Sequence, residues 1–211
     1  MCLCEVEVMP RKIIPRPYHH GNLSETLVKA GIELLNDEGL TKFTLRECAR
    51  RAGVSHAAPK NHFASVEDLL CEIAARGFDQ FVAELDAAAD SEPAQSPDAR
   101  LIAMGRAYVT FARANPAIYL LMFRHAQAFT KSTHLAAASH AAWAQLETGV
   151  AAVIGPERQD VLSRAAHVWA LVHGIASLII DRRLPGPIDF EQVIAESLAS
   201  LPAAIRGLGH T

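Results

Sequence analysis

The chain has 211 residues, half of them hydrophobic, four cysteines and a formal net charge of −3 at neutral pH. That is enough apolar material for a sizeable core in one large or two small domains. Cys2, Cys4, Cys48 and Cys71 suggest no disulfide framework, the opening MCLCEVEVMP lacks the cationic start and apolar core of a signal peptide, and no apolar run is read as reaching the ~20 residues of a membrane helix. A cytoplasmic protein without a membrane partner is therefore expected.

Residues Met1 to Pro17 are proline-broken and aperiodic, and are expected to be a flexible arm (1–17) whose Arg11, Lys12 and Arg16 can reach a DNA backbone. Asn22 and Glu25 have capping spacing, and Leu23, Leu27, Ala30 or Gly31, and Leu34 recur at helical intervals up to Gly39, which predicts a first helix. Thr44 with Glu47 repeats the capping-box spacing ahead of a helix over about 45–52, and Gly53 supplies the turn that ends it. Ser55 is placed to cap a further helix over about 56–63. Two short helices joined by a glycine turn is helix-turn-helix spacing. His56, Ala57 and Ala58 put no carboxylate in the first turn of the second helix, so its positive end is left free for a phosphate and its short side chains suit a groove. Pro59 is tolerable there, since it forfeits only the bond to the Ser55 carbonyl.

The charge follows the same division. From Pro10 to Phe63 nine Lys/Arg stand against five acids, and from Ala64 onward eleven stand against sixteen. A basic head on an acidic body is the footprint of a protein that meets nucleic acid at one end.

Ser65 with Asp68 predicts the cap of a longer helix over 66–89, with Leu69, Leu70, Ile73, Phe78, Phe81 and Leu85 on its inner face. SEPAQSP, Ser91 to Pro97, breaks that pattern. Beyond it the chain reads as helices over about 98–114, 116–124, 134–154, 157–184 and 190–207, punctuated by Gly155-Pro156 and Pro185-Gly186-Pro187. The fold class is thus all-α, with a three-helix helix-turn-helix head at 18–64 and a larger helical body at 65–211. Ala165 to Ile180 is apolar nearly all round, and such a helix needs burial on every side, which a subunit contact supplies. Leu171, Ile175, Leu178, Val193, Ile194 and Leu198 are the expected dimer interface, formed by two helices from each of two copies.

Phe78, Met104, Tyr108, Phe111, Tyr119, Met122, Phe123, Trp143, Trp169 and His173 are the candidate walls of a ligand pocket, since such sites are mostly apolar with few polar groups. Stripes of this kind also build ordinary cores. The ten histidines include no i,i+4 pair suited to zinc: His134 with His140 and His167 with His173 are six apart and share no helix face. No metal, cofactor, phosphate loop or catalytic elbow is expected, and the protein is not read as an enzyme.

The block TLRECARRAGVSHAAPKNHF (Thr44 to Phe63), the YHHGNL start at Tyr18 to Leu23, and the WALVHG segment carrying Trp169, His173 and Gly174 resemble the TetR family of transcriptional regulators, in particular the branch with a Trp-His-Gly signature. Two positions depart from that pattern: Lys60 stands where the family usually has Tyr, and Val66 where it usually has Lys. The resemblance implies a homodimeric repressor that binds a palindromic double-stranded operator and is released by a small, mostly apolar effector. Ser55, His56, Ala57 and Asn61 would then face bases, with Thr44, Arg46, Lys60 and His62 near phosphates. It also strengthens the claim of Trp169 and His173 on the pocket. The alternative is a helical ligand- or haem-binding protein, or an enzyme, with a degenerate helix-turn-helix, prompted by Pro59, Lys60 and the histidines.

Overall fold

The computed structural model describes residues 23–91, 96–125, 132–183, 186 and 188–208. The expected arm with its three cations, Cys2, Cys4 and the Tyr18 to Asn22 start lie outside them. The described residues form eight α-helices and no strand: α1 (Leu23–Glu38), α2 (Leu45–Arg51), α3 (Val66–Asp90), α4 (Pro97–Ala114), α5 (Pro116–Leu120), α6 (Thr133–Ile154), α7 (Val161–Ile180) and α8 (Phe190–Gly207). α5 runs on into a π-helical turn, Leu121–His125.

The local starts follow side-chain chemistry. Thr44 Oγ1 accepts the Glu47 N–H at 3.1 Å, but the Glu47 carboxylate turns away to Arg50 and Arg51, so only half of the expected box forms. Ser65 and Asp68 form both halves, at 3.0 and 3.1 Å. Ser132 and Asp189 cap α6 and α8 through the N–H groups of Leu135 and Gln192. Gly53, at φ 68°, makes the turn after α2 in a conformation that a side chain would strain.

α3 is the axis of the molecule. Its first half packs on α1 through buried Leu69, Leu70 and Ile73, and its second half packs on α4 and α6 through Phe78, Phe81 and Leu85. At 25 residues it spans about 37 Å. Gly77 lies between the two halves, where a Cβ would come within 2.7 Å of Ile118 Cγ2 and 2.9 Å of Met122 Sδ, so α3 and the α5 region approach closely. Polar ties flank the same stretch. Arg76 joins Glu25 of α1 at 2.5 Å and Glu72 at 2.8 Å, and His134 of α6 lies 3.0 Å from Glu72 and 3.1 Å from Asp79.

Three expectations are corrected. The helix expected over 56–63 is a turn followed by a single 3₁₀ turn, Ala58–Asn61. Pro59 has no N–H to return to Ser55, so the chain tightens: Ala58 N–H bonds the Ser55 carbonyl, and Phe63 N–H closes on Pro59 at 2.8 Å. The helix expected over 157–184 is shorter at both ends. At its end Arg182 (φ 51°) takes the left-handed position, with Arg182 N–H bonded to Ile179 and Arg183 N–H to Leu178, a Schellman stop several residues before Pro185. That helix, α7, is also long and apolar enough to cross a membrane by length and composition alone, with 33% of the tested stretch buried inside the protomer. Ser163, Arg164, His167, His173 and Ser177 interrupt the apolar run along it.

Candidate DNA-binding face and effector cavity

Thr44, Arg46, Ser55, His56, Ala57, Lys60, Asn61 and His62 are all exposed, while Pro59 and Phe63 between and beyond them are buried. The tight turn therefore anchors inward by two residues and presents the rest outward. Not every cation of the head is free. Arg51 bonds Asp37 at 2.5 Å and Glu38 at 2.7 Å, tying the end of α1 to α2. Arg50 is paired with Glu47, holding that carboxyl down at about 2, and Lys42 lies 3.3 Å from Glu38. Among the described residues of the head, Lys29, Arg46 and Lys60 carry charges with no acid within ion-pair distance. The basic balance counted in the sequence is thus concentrated on fewer side chains.

In the body, α3, α4, the π turn, α6 and α7 enclose a cavity of about 180 Å³. Six of the ten predicted pocket residues line it: Phe78, Met104, Tyr108, Phe123, Trp143 and Trp169. Phe111, Tyr119, Met122 and His173 do not. Phe111 lies behind Phe81, with ring centroids 5.2 Å apart, and is wholly buried; Met122 packs beneath Gly77. Sequence reasoning missed Leu85, Leu101, Leu146, Val168 and Val172 as walls, because it looked for large aromatic and Met side chains. It also passed over Phe81, which the helical spacing had already put on the inner face of α3. Among the described residues, no charged side chain lines the cavity.

Tyr119 and His173 act one layer out. Tyr108 Oη, Tyr119 Oη and His173 Nδ1 form a mutual cluster, with His173 2.8 Å from Tyr108 and 2.7 Å from Tyr119, and the hydroxyls 3.3 Å apart. Burial, and secondarily the Arg124 charge, pushes the His173 imidazole below its ordinary range, so it is neutral. Burial pushes both phenols upward, so they remain hydroxyls. Phe123 packs 5.2 Å from His173 and 5.4 Å from Phe78, and Trp143 meets Trp169 edge to face at 6.2 Å.

The predicted interface residues divide. Ile175, Ile194 and Leu198 are buried inside the protomer, Leu198 fully and against Gly105 of α4, and so are corrected to core. Leu171 and Val193 are half-buried, and Leu178 is 43% exposed. The outward face of α7 instead carries Leu162 (59% exposed), Ala166, Trp169, Ala170 and Leu178. Periodicity could not choose that face, since α7 is apolar on every side.

Residues 27–73 match the family described as bacterial regulatory proteins, tetR family, and residues 101–201 match the Tetracyclin repressor-like, C-terminal domain. A solved structure of a Rhodococcus sp. RHA1 protein of unknown function is 30% identical, the likeness covering 90% of this chain and 98% of that one, with a TM-score of 0.79. The chain belongs to the TetR family of transcriptional regulators. A transcriptional regulator from the same Rhodococcus is 25% identical over 87% of this chain and 95% of its own, with a TM-score of 0.67. The curated relative YobS of Bacillus subtilis (strain 168), described as an uncharacterized HTH-type transcriptional regulator, is 27% identical over 99 residues, and the match spans about half of its length. The TetR helix-turn-helix match thus falls on the head built by α1, α2 and the Ala58–Asn61 turn, and the C-terminal match runs from within α4 into α8.

Proposed function

We propose that this TetR-family regulator is a cytoplasmic, homodimeric repressor that binds a palindromic duplex and is released when a small, mostly apolar ligand enters the cavity. The observation that carries this reading is that one rigid helix serves both sites. α3 holds the head through Leu69, Leu70 and Ile73, and walls the cavity with Phe78, Phe81 and Leu85. A ligand that favours one tilt of α3 changes the spacing of two heads, and DNA accepts spacings near one helical repeat.

Exposed Ser55, His56, Ala57 and Asn61 would read bases, with Thr44, Arg46, Lys60 and His62 positioned at phosphates. The dimer would use the outward face of α7, where Ala166, Ala170 and Gly174 leave room for close helix approach beside Leu162 and Leu178. Selection of bound duplexes from a random pool tests the reading: it predicts enrichment of inverted repeats with half-sites about one helical turn apart. Enrichment of no sequence, or of single half-sites only, would contradict it.

A further inference from the structure

Resting on the cavity reading above, we propose that the effector is a neutral hydrocarbon of about toluene's size, held by shape and carbon contact alone with no hydrogen bond to the protein. Two features of the cavity point this way: its size and carbon surface, and the internal pairing of the few polar groups on its walls.

A cavity of about 150 Å³ lined by aliphatic and aromatic side chains accommodates benzene, so one of about 180 Å³ takes roughly seven carbons. Almost the whole wall surface is carbon, and six of its side chains are rings: Phe78, Phe81, Tyr108, Phe123, Trp143 and Trp169. Water gains too few hydrogen bonds in such a space to be held there, whereas a flat apolar ligand gains dispersion contact with the ring edges and faces around it.

The polar groups at the wall spend their hydrogen bonds on the protein. Tyr108 and Tyr119 have two hydroxyl protons to place, and both find acceptors. Tyr108 donates to Tyr119 across 3.3 Å while Tyr119 donates to His173 Nδ1 at 2.7 Å, or Tyr108 donates to Nδ1 at 2.8 Å while Tyr119 donates to Ser177. Either arrangement leaves no proton over. The Trp169 indole, a donor only, is hydrogen-bonded to the Tyr108 oxygen and occupies one of its lone pairs. Ser139 donates to the Ala136 carbonyl of its own helix at 3.1 Å. A ligand hydroxyl or carbonyl would therefore give up its water for a wall that returns no hydrogen bond. A charged ligand would fare worse, since among the described residues no acid or base lines the cavity.

Two isosteric pairs test this: toluene against phenol, which differ in CH₃ against OH, and styrene against benzaldehyde, which differ in CH₂ against O. Titration calorimetry of the intact 211-residue chain gives the affinities, and the fluorescence of its two tryptophans, both on the cavity wall, shows that each probe is inside. The hydrocarbon of each pair is expected to bind about 5- to 150-fold more tightly than its polar partner, the range for an unpaired polar group in a protein interior, and benzoate more weakly than any of the four. Tyr108→Phe should leave the styrene preference unchanged or lower it, because it frees the Trp169 N–H to meet a carbonyl. A higher styrene preference in that variant would mean that the Tyr108 hydroxyl had been reading the ligand, and would overturn the proposal. A ratio near or below one for either pair, or tighter binding of benzoate, would reveal an unpaired group on the wall and overturn the hydrocarbon assignment while leaving the cavity as a ligand site. Failure of the folded protein to bind any of the neutral probes would instead overturn both.

Discussion

Lys60 stands exposed beside buried Pro59, without an acid within ion-pair distance among the described residues, whereas Arg51 spends its charge on Asp37, Glu38 and Glu47. Net charge alone treats the two alike; only the first is available to a phosphate. Lys60→Ala should weaken binding to all duplex sequences and lower the salt slope by about one unit for each head engaged, measured by titration at several salt concentrations. A changed base preference with an unaltered slope would place Lys60 at a base edge instead. His134 carries a different prediction. Its hydrogen bond to Glu72, and then that to Asp79, raise its pKa above the ordinary value of 6.5. A raised folded pKa contributes stability that is fully present below the unfolded value and is lost as pH rises through the folded one. The melting temperature of wild type should therefore exceed that of His134→Gln near pH 5.5, with the gap closing by about pH 8; since the side chain is 45% exposed, the effect is bounded near ~1 kcal/mol. A gap that widened with pH would contradict the assignment.

α3 runs from the head to the cavity, and at Gly77 it approaches the α5 region closely. A Cβ there meets Ile118 Cγ2 at 2.7 Å, a branch methyl that cannot swing away as a long side chain would. Overpacking costs ~1–3 kcal/mol, against a gain of up to ~1 kcal/mol from replacing glycine within a helix. Gly77→Ala is expected to lose about 1 kcal/mol in urea unfolding; a gain of that size would show the α3–α5 contact to be loose. The start of α3 was legible in the sequence because Ser65 and Asp68 act within one turn, and local chemistry settles local structure. The length of the recognition segment was not, because Pro59 and Phe63 are drawn inward by the core and convert an expected helix into a 3₁₀ turn. Six pocket walls were legible as large aromatic or Met side chains. The link between Tyr108, Tyr119 and His173 depends on how α4, α5 and α7 pack, and no spacing along the chain encodes it.

At the scale of the whole molecule, the outward and inward sides of α7 give opposite expectations for the same substitution. Leu178→Arg, on the exposed face, should yield a folded monomer in sedimentation and by circular dichroism. Ile175→Arg, placed inside the protomer, should unfold the body by burying an unpaired charge. A fully dimeric Leu178→Arg protein would move the interface elsewhere. The sequence could not separate these two residues, since α7 is apolar all round and only its packing on α4 and α8 shows which side is spent. The proposed coupling of cavity to head through α3 is tested most directly by operator affinity, by fluorescence anisotropy, with and without a ligand shown by tryptophan fluorescence to occupy the cavity. A coupling of ~1–3 kcal/mol predicts that occupancy weakens operator binding about 5- to 150-fold in wild type, and by much less in Trp143→Ala, which trims the cavity wall away from α7 and whose ligand-free affinity stays near wild type. Full occupancy with an unchanged operator affinity would contradict the coupling outright.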